Sequence, residues 1–430
     1  MQTYGWKNKK IHFIGIKGTG VSGLAQLIKN EDAIVSGSDV SGEEFQSNEN
    51  LQKAGIISEE FKVENIKPDI NLVIYSSAFD ENNIERKRAS ELGVEQINYA
   101  DALAAFAANK KVIVITGTHG KTTTTALLGQ IFEAGNLDPV VLAGDRIKAW
   151  ENSVRIGHGE FMIVEGDEYQ EKFRLFRPVA ILIPSLDYDH PDYFKTPEIY
   201  LEAFKKFVTE NPDATLVTTK ETGERIGKKF ESADFNDEVI FNQSKFLMPG
   251  EKYKSNCLLA IHLSQKFGIA SEKIISGINN FKGVGRRLDL YTKEGAKPAI
   301  IYDYAHHPEE IVATLDAISQ KYPSSKIIAV FQPHTFSRTA AFLNDFAKAF
   351  TKADEVYFDE IYASAREKIG AVSIKDLIRE TEKAGKLVCK LSEFSLEKFA
   401  SKIKKHPDTI ILFMGAGDIW QKAKKIANLI

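Results

Sequence analysis

Short, continuous apolar runs recur along the chain, each ending in small or polar residues and each separated from the next by a helical pattern. In order they are "IHFIGIKG", "INLVIYSSA", "KVIVITGT", "PVVLAGD", "FMIVEGDE", "VAILIPSLDYDH", "ATLVTT", "AIIYDYAHH", "KIIAVFQPH", "EVYFDE" and "TIILFMGAGD". Such runs lack polar alternation, so they predict strands buried on both faces. With helices between them, they predict an α/β protein with mostly parallel sheets. Ligands of such sheets lie beyond the carboxyl ends of the strands. The residues that follow the runs are mostly Gly, Ser, Thr, Asp, Glu and His, so polar chemistry gathers where a ligand is expected.

Two breaks interrupt this pattern, "AAFAANKK" at 104–111 and "GINNFKGVGRRLDLYTKEGAKPA" at 277–299. They predict three domains, at 1–108, 109–288 and 289–430, a division that a chain of 430 residues can support. With 59 acidic and 56 basic residues, bulk charge gives no reason to expect nucleic acid or a membrane surface as partner. The two cysteines, Cys257 and Cys389, have no Cys or His at metal spacing, which argues against a disulfide framework and for a reducing compartment. The first apolar run is too short for a signal segment, and no later run approaches the ~20 residues of a spanning helix. A cytoplasmic protein without membrane insertion is the expectation.

Two glycine clusters carry the candidate chemistry. "GTGVSG" at 18–23 follows a strand run and matches G-x-G-x-x-G, with Asp39 about 20 residues on, where a dinucleotide fold holds its ribose. A Rossmann-like turn that binds another nucleotide's phosphates through backbone N–H groups fits equally well, and Lys17 would add positive charge there. The motif alone leaves NAD and other nucleotides open. In "VIVITGTHGKTTTTALLGQ" at 112–130, a strand enters, the loop turns on Gly117 and Gly120, and a helix begins near Lys121. Gly117, Thr118, His119, Gly120 and Thr123 would surround an ATP phosphate chain with N–H donors. Lys121 would reach the β- and γ-phosphates, and the Thr122 hydroxyl would ligate Mg²⁺. A Thr-rich helix cap is the bland alternative. The common spacing wants a glycine where Ile115 stands.

That departure is itself informative, because "TGTHGKT" resembles the loop of the Mur ligase superfamily, ATP-dependent enzymes that build the stem peptide of bacterial peptidoglycan. "HFIGIKGTGVSGLAQ", "VSGSD" and "YSSA", with "DYAHHPEEI", "VFQPHTFSRT", "DEIYASARE" and "GAGDIW", resemble the alanine-adding branch. The resemblance implies a Rossmann-like N-terminal domain for a UDP-sugar, a central P-loop ATPase-type domain with a mostly parallel sheet, and a Rossmann-like C-terminal domain that receives the amino acid. Gly18, Thr19, Gly20, Ser38, Asp39, Ser76 and Ser77 would then hold UDP-N-acetylmuramate, not NAD. The implied reaction activates a carboxylate with ATP as an acyl phosphate and lets the amine of L-alanine displace phosphate. A monomer or weak homodimer is expected, with relative domain motion during turnover.

By the same resemblance, Glu165 of "IVEGDEYQ" and His190 of "DYDHPD" would join Thr122 as metal ligands. Asn256 would hold the adenine, Arg287 a nucleotide phosphate and Asp303 the ribose. Arg338 offers a planar fork for the α-carboxylate of the amino acid. His306 and His334, at strand ends, could orient or deprotonate its amine, and one of the neighbours His306 and His307 is expected to point inward. Lys121, His190, His306 and Arg338 form the expected catalytic set.

The pattern also departs from the family. Tyr169 stands where alanine-adding ligases usually have Ser, and Tyr there fits the ligase that recycles a ready-made tripeptide. Lys252 and Tyr253 replace a His-Asn pair, Ser185 an Asn, and Lys17 a glycine. Lys205 and Lys206 lie near the position of a carbamylated lysine in relatives, but neither is assigned. Two rival functions stay open, tripeptide recycling and nucleotide binding without catalysis. The retained Lys121, Thr122, Glu165, His190 and Arg338 argue against the second.

Overall fold

In the computed structural model, which describes residues 4–41, 47–363, 370 and 372–430, every apolar run of the sequence forms a strand. Residues 364–367 of "DEIYASARE" lie outside the described residues. The strands assort into three sheets. The first has the spatial order Ser58–Glu60, Ile34–Asp39, Lys10–Ile14, Leu72–Tyr75 and Gln96–Asn98, all parallel. The second runs Thr215–Thr218, Ala180–Ile183, Lys111–Ile115, Phe161–Glu165, Val140–Ile147 and Asn152–Arg155, with only the last pair antiparallel. The third runs Asp289–Leu290, Ala299–Asp303, Thr409–Met414, Lys326–Phe331, Glu355–Phe358 and Val388–Lys390, with only the first pair antiparallel.

The strands without an apolar run have a common cause. Ser58–Glu60, Gln96–Asn98, Asn152–Arg155, Asp289–Leu290 and Val388–Lys390 all lie at sheet edges, where short, partly covered strands need no continuous apolar sequence. Ile34–Asp39 lies inside its sheet, but only its last three residues, Gly37, Ser38 and Asp39, are buried.

The chain divides into two compact units. One holds the described residues of Met1–Asp187, Leu201–Leu247 and Asn256–Val284, and so carries the first two sheets; the other holds Tyr188–Tyr200, Met248–Ser255 and Gly285–Ile430 and carries the third. Within the first unit, helix Thr19–Asn30 packs on strands Val140–Ile147 and Asn152–Arg155. Gly23 permits that approach, since a Cβ there would run into Leu142. Asn152 Nδ2 donates to Gln26 Oε1 across the same seam at 2.7 Å. Helix Lys121–Ala134 is buried continuously from Thr123 to Phe132. It therefore has no polar face to read as amphipathic.

In the second unit, successive strand residues point to opposite faces of the sheet. Ile301, Phe331 and Leu412 join Ile311, Leu315, Phe346 and Phe350 in one core, while Ile300, Val330 and Phe413 join Phe399 and Ile426 in the other. Helices thus cover both faces, as the apolar runs required. No helix among the described residues is long and apolar enough to cross a membrane.

Candidate active site

Strand Lys111–Ile115 delivers the second glycine loop to the carboxyl edge of its sheet, and helix Lys121–Ala134 begins directly after it. Gly117 and Gly120 adopt φ of 120° and 81°, a left-handed region that other residues enter only with strain. A Cβ on Gly117 would strike the Ser185 carbonyl, and one on Gly120 would strike Asn256. The loop is held from the neighbouring strand end, where Ser185 O accepts from Thr118 N at 3.1 Å and Ser185 Oγ accepts from His119 N at 2.8 Å. The departure at Ser185 therefore keeps a polar side chain under the loop. Asn256 is buried against Gly120, while Thr118 and His119 are also largely covered.

Two charged contacts complete this loop. Lys121 Nζ donates to Gly117 O at 2.5 Å, to Thr118 O at 3.1 Å and to Glu168 Oε1 at 2.9 Å. Burial alone would lower the Lys121 pKa, but Glu168, with Glu165 and Asp167, holds it above its ordinary value. Beside it, Glu165 Oε2 accepts from Thr122 Oγ1 at 2.9 Å and from Gly144 N at 2.7 Å. Gly144 has no side chain to obstruct this, since a Cβ there would sit on the carboxylate. Burial pushes the Glu165 carboxyl above the usual range, only partly opposed by Lys121. A hydroxyl and a carboxylate side by side, short of positive charge, form the oxygen donor set that a hard divalent cation prefers. Thr122 and Glu165 thus fit a magnesium ion.

The first glycine loop lies between strand Lys10–Ile14 and helix Thr19–Asn30. Gly18 caps that helix without any side-chain hydrogen bond, leaving the N–H groups of its first turn, around Thr19 and Gly20, without a helical partner. Asp39 is buried, and its carboxylate accepts from Lys17 N at 2.7 Å and Val40 N at 2.8 Å. Ser38 is fully buried; its hydroxyl donates to Glu85, and its carbonyl accepts from Gly15 N and Ile16 N. The Ser38 side chain thus shapes the loop from beneath. Ser76 and Ser77 follow strand Leu72–Tyr75, and Ser77 Oγ accepts from Asn98 Nδ2 at 2.9 Å.

The second unit gathers the remaining residues. Arg338 Nε and Nη2 donate to Asp189 Oδ1 and Oδ2 at 3.0 and 3.2 Å, a buried two-pronged pair. Burial would raise the Asp189 pKa, but the Arg338 guanidinium, helped by His190, His307 and His306, holds it far below the carboxylate range. The edge of Arg338 that carries Nη1 makes no hydrogen bond among the described residues. His190 sits beside Asp189 at φ 56°, its backbone N donating to Asp189 Oδ1 at 2.7 Å. His307 is the inward member of its pair, capping helix Pro308–Lys321 with its side chain and lying 3.2 Å from Tyr188 O. His306 lies 3.0 Å from Tyr304 O through Nδ1, and burial pushes its pKa down to about 3. His334 stacks on Tyr362 and meets the His306 ring edge-on.

Arg287 and Asp303 are drawn into one buried network. Arg287 Nη2 donates to Glu310 Oε1 at 3.1 Å and Nη1 to Asp303 Oδ1 at 3.5 Å, while Asp303 also accepts from Leu288 N and Ala305 N. Asp303 is fully buried, and its carboxyl is pushed up to about 6. Its carboxylate supports the turn around Leu288. Glu168 and Asp189, which pair with Lys121 and Arg338, received no role from the sequence. Both sit beside expected ligands, and that adjacency was the only available signal.

Three family models match along the chain: Mur ligase family, catalytic domain, over residues 10–111; Mur ligase middle domain over 115–247; and Mur ligase, glutamate ligase domain, over 286–417. The UDP-N-acetylmuramate–L-alanine ligase of Clostridium kluyveri is 34% identical, with 98% of each chain aligned. That of Caldanaerobacter subterraneus is also 34% identical, over 97% of each. Among solved structures, the UDP-N-acetylmuramate-alanine ligase of Thermotoga maritima matches with a TM-score of 0.77 at 26% identity, covering 97% of this chain and 98% of its own. The murein peptide ligase of Psychrobacter arcticus shares the fold, with a TM-score of 0.69 at 21% identity and 98% and 99% coverage. The class is that of ATP-dependent amide-forming ligases. Within it, the chain belongs to the Mur ligase family.

Proposed function

We propose that this chain joins L-alanine to UDP-N-acetylmuramate, forming an amide at the expense of ATP. The observation that carries this reading is the alignment of almost the whole chain with ligases named for that reaction. The proposed division of labour gives the UDP-sugar to residues 1–108, ATP to 109–288 and the amino acid to 289–430.

In this reading the N–H groups at the helix start, from Gly120 to Thr123, bind the ATP phosphates, the Thr118 and His119 N–H groups being held by Ser185, and the Lys121 ammonium neutralises the phosphate charge. Thr122 and Glu165 would hold a magnesium ion, which supplies further charge neutralisation to the transferring phosphoryl group. The sugar's carboxylate attacks the γ-phosphorus, releasing ADP and forming an acyl phosphate. The amine of alanine then attacks the acyl carbon, the acyl carbon–oxygen bond to phosphate breaks, and the departing phosphate takes up the amine's proton. The Nη1 edge of Arg338 is suited to the alanine carboxylate, with Asp189 fixing the plane of the fork. Burial holds the His306 imidazole neutral. Its role is to orient the amine as a neutral acceptor. Arg287, Asp303, Asn256 and His190 remain proposed nucleotide or metal contacts on resemblance alone.

A tripeptide acceptor is favoured by Tyr169, which opens a short turn after Asp167 and Glu168. The test is phosphate release with ATP, Mg²⁺ and UDP-N-acetylmuramate, offering L-Ala, L-Ser, Gly and the L-Ala-γ-D-Glu-diamino-acid tripeptide separately. Release driven by L-Ala is the expected result. Release with the tripeptide alone overturns it in favour of recycling, and silence in every well with the UDP-sugar still bound overturns catalysis altogether.

A further inference from the structure

Tyr99 received no role from the sequence, yet it stands over the first glycine loop. It opens helix Tyr99–Ala107, whose cap, Asn98, accepts from Ala100 N at 2.9 Å and donates to Ser77 Oγ at 2.9 Å. The cap therefore anchors this helix start to the Ser76–Ser77 strand end. The phenol reaches the first turn of helix Thr19–Asn30, where a Cβ on Gly20 would collide with its hydroxyl and, at 2.9 Å, with Cζ. Gly20 is thus the space into which the phenol fits. Tyr99 is only partly covered, and its hydroxyl makes no hydrogen bond among the described residues. A phenol donor so placed, beside unspent helix N–H groups, is an incomplete polar arrangement that an anionic oxygen would complete.

We propose that the Tyr99 hydroxyl donates to the sugar-side phosphate oxygen of the UDP-sugar, positioning the substrate as it leaves the first turn of helix Thr19–Asn30. This rests on the UDP-sugar reading of that loop. The neighbourhood explains why a neutral donor suits the position. Burial, with the charges of Asp167 and Glu165, keeps the phenol protonated well above neutral pH. It can therefore approach a phosphate without adding repulsion. A substrate held at Gly20 by Tyr99 is consequently held within the field of the residues proposed to bind the metal.

The test compares wild type with Tyr99→Phe, which preserves the ring and removes only the donor. Calorimetry with UDP-N-acetylmuramate, UDP and UMP is paired with steady-state kinetics. A hydrogen bond to a charged oxygen predicts that the variant binds UDP-N-acetylmuramate and UDP about 10-fold more weakly. UMP, which lacks the second phosphate, should bind both proteins equally. The KM for the UDP-sugar should rise by the same factor, with kcat and the KM for ATP within about twofold. Unchanged UDP affinity overturns the proposal, and so does an equal rise in the KM for ATP, which would put the phenol's action on the Glu165 side. If wild type binds UDP but not UDP-N-acetylmuramate, the substrate reading fails while the UDP comparison still decides Tyr99. Binding of neither overturns both.

Discussion

Lys121 and Glu168 are an inward-facing pair, with side chains 15% and 4% exposed. Removing one partner of such a pair strands the other charge away from water. Lys121→Met is therefore expected to cost about 3 kcal/mol of stability in urea melts, and adding Glu168→Gln should recover most of it. Phosphate release should stay down by about 10³-fold in both variants, because the positive charge is gone in both. Activity retained by the double variant would remove Lys121 from the phosphate site. At Arg338, the Nε–Nη2 edge of the guanidinium is committed to Asp189, so the fold fixes the side chain while Nη1 is left for the proposed substrate. Arg338→Ala should raise the KM for the amino acid at least about 10-fold more than that for ATP. An equal rise in both would show that the pair is only structural. His306 titrates near 3 in the folded chain, against about 6.5 when unfolded. Below about 6.5 the unfolded chain takes a proton that the native chain refuses, so this residue's contribution is lost as pH falls towards 3. By pH 5 the loss amounts to as much as about 2 kcal/mol, and His306→Gln should flatten that slope in melts at pH 7 and 5.

Between elements, polar side chains do what local propensity cannot. His262, on helix Glu251–Lys266, lies 2.9 Å from Asp237 Oδ2 on helix Phe235–Gln243 and 3.1 Å from Glu231 Oε2. The hydrogen bond with Asp237, more than offsetting burial, raises the His262 pKa, and Glu231 adds to it. With the folded pKa above the unfolded one, the stabilisation is complete below about 6.5 and is lost as pH rises through the folded value. His262→Gln should therefore destabilise more at pH 6 than at pH 9 in urea titrations. A pH-independent cost would mean that the helices are joined by packing alone. The edge strands belong to this scale too, because they are made by their neighbours rather than by their own sequence.

For the whole molecule, the two compact units give ligand binding a spatial signature. Hydrogen exchange with UDP-N-acetylmuramate present should protect residues 15–20, 76–79 and 98–100 of the first unit. L-Alanine, added to the ADP- and UDP-sugar-bound protein, should protect residues 189–190 and 332–338 of the second. Protection of the first unit alone by alanine would contradict the assignment of Arg338.

What the sequence determined by itself was local. Buried parallel strands announce themselves as unbroken apolar runs, and the phosphate loop shows in glycines that must adopt left-handed φ beside a helix start. What only the tertiary structure decided was pairing at a distance. Arg338 meets Asp189 across 149 residues and Lys121 meets Glu168 across 47, so no local period or spacing could signal either contact. Ser38 shows the same limit, since its hydroxyl donates to Glu85, 47 residues away. Tyr99 likewise reads as an ordinary helix start until Gly20 is seen beneath its hydroxyl. Backbone conformation is set by near neighbours, whereas the partner of a side chain is set by how sheets and helices stack.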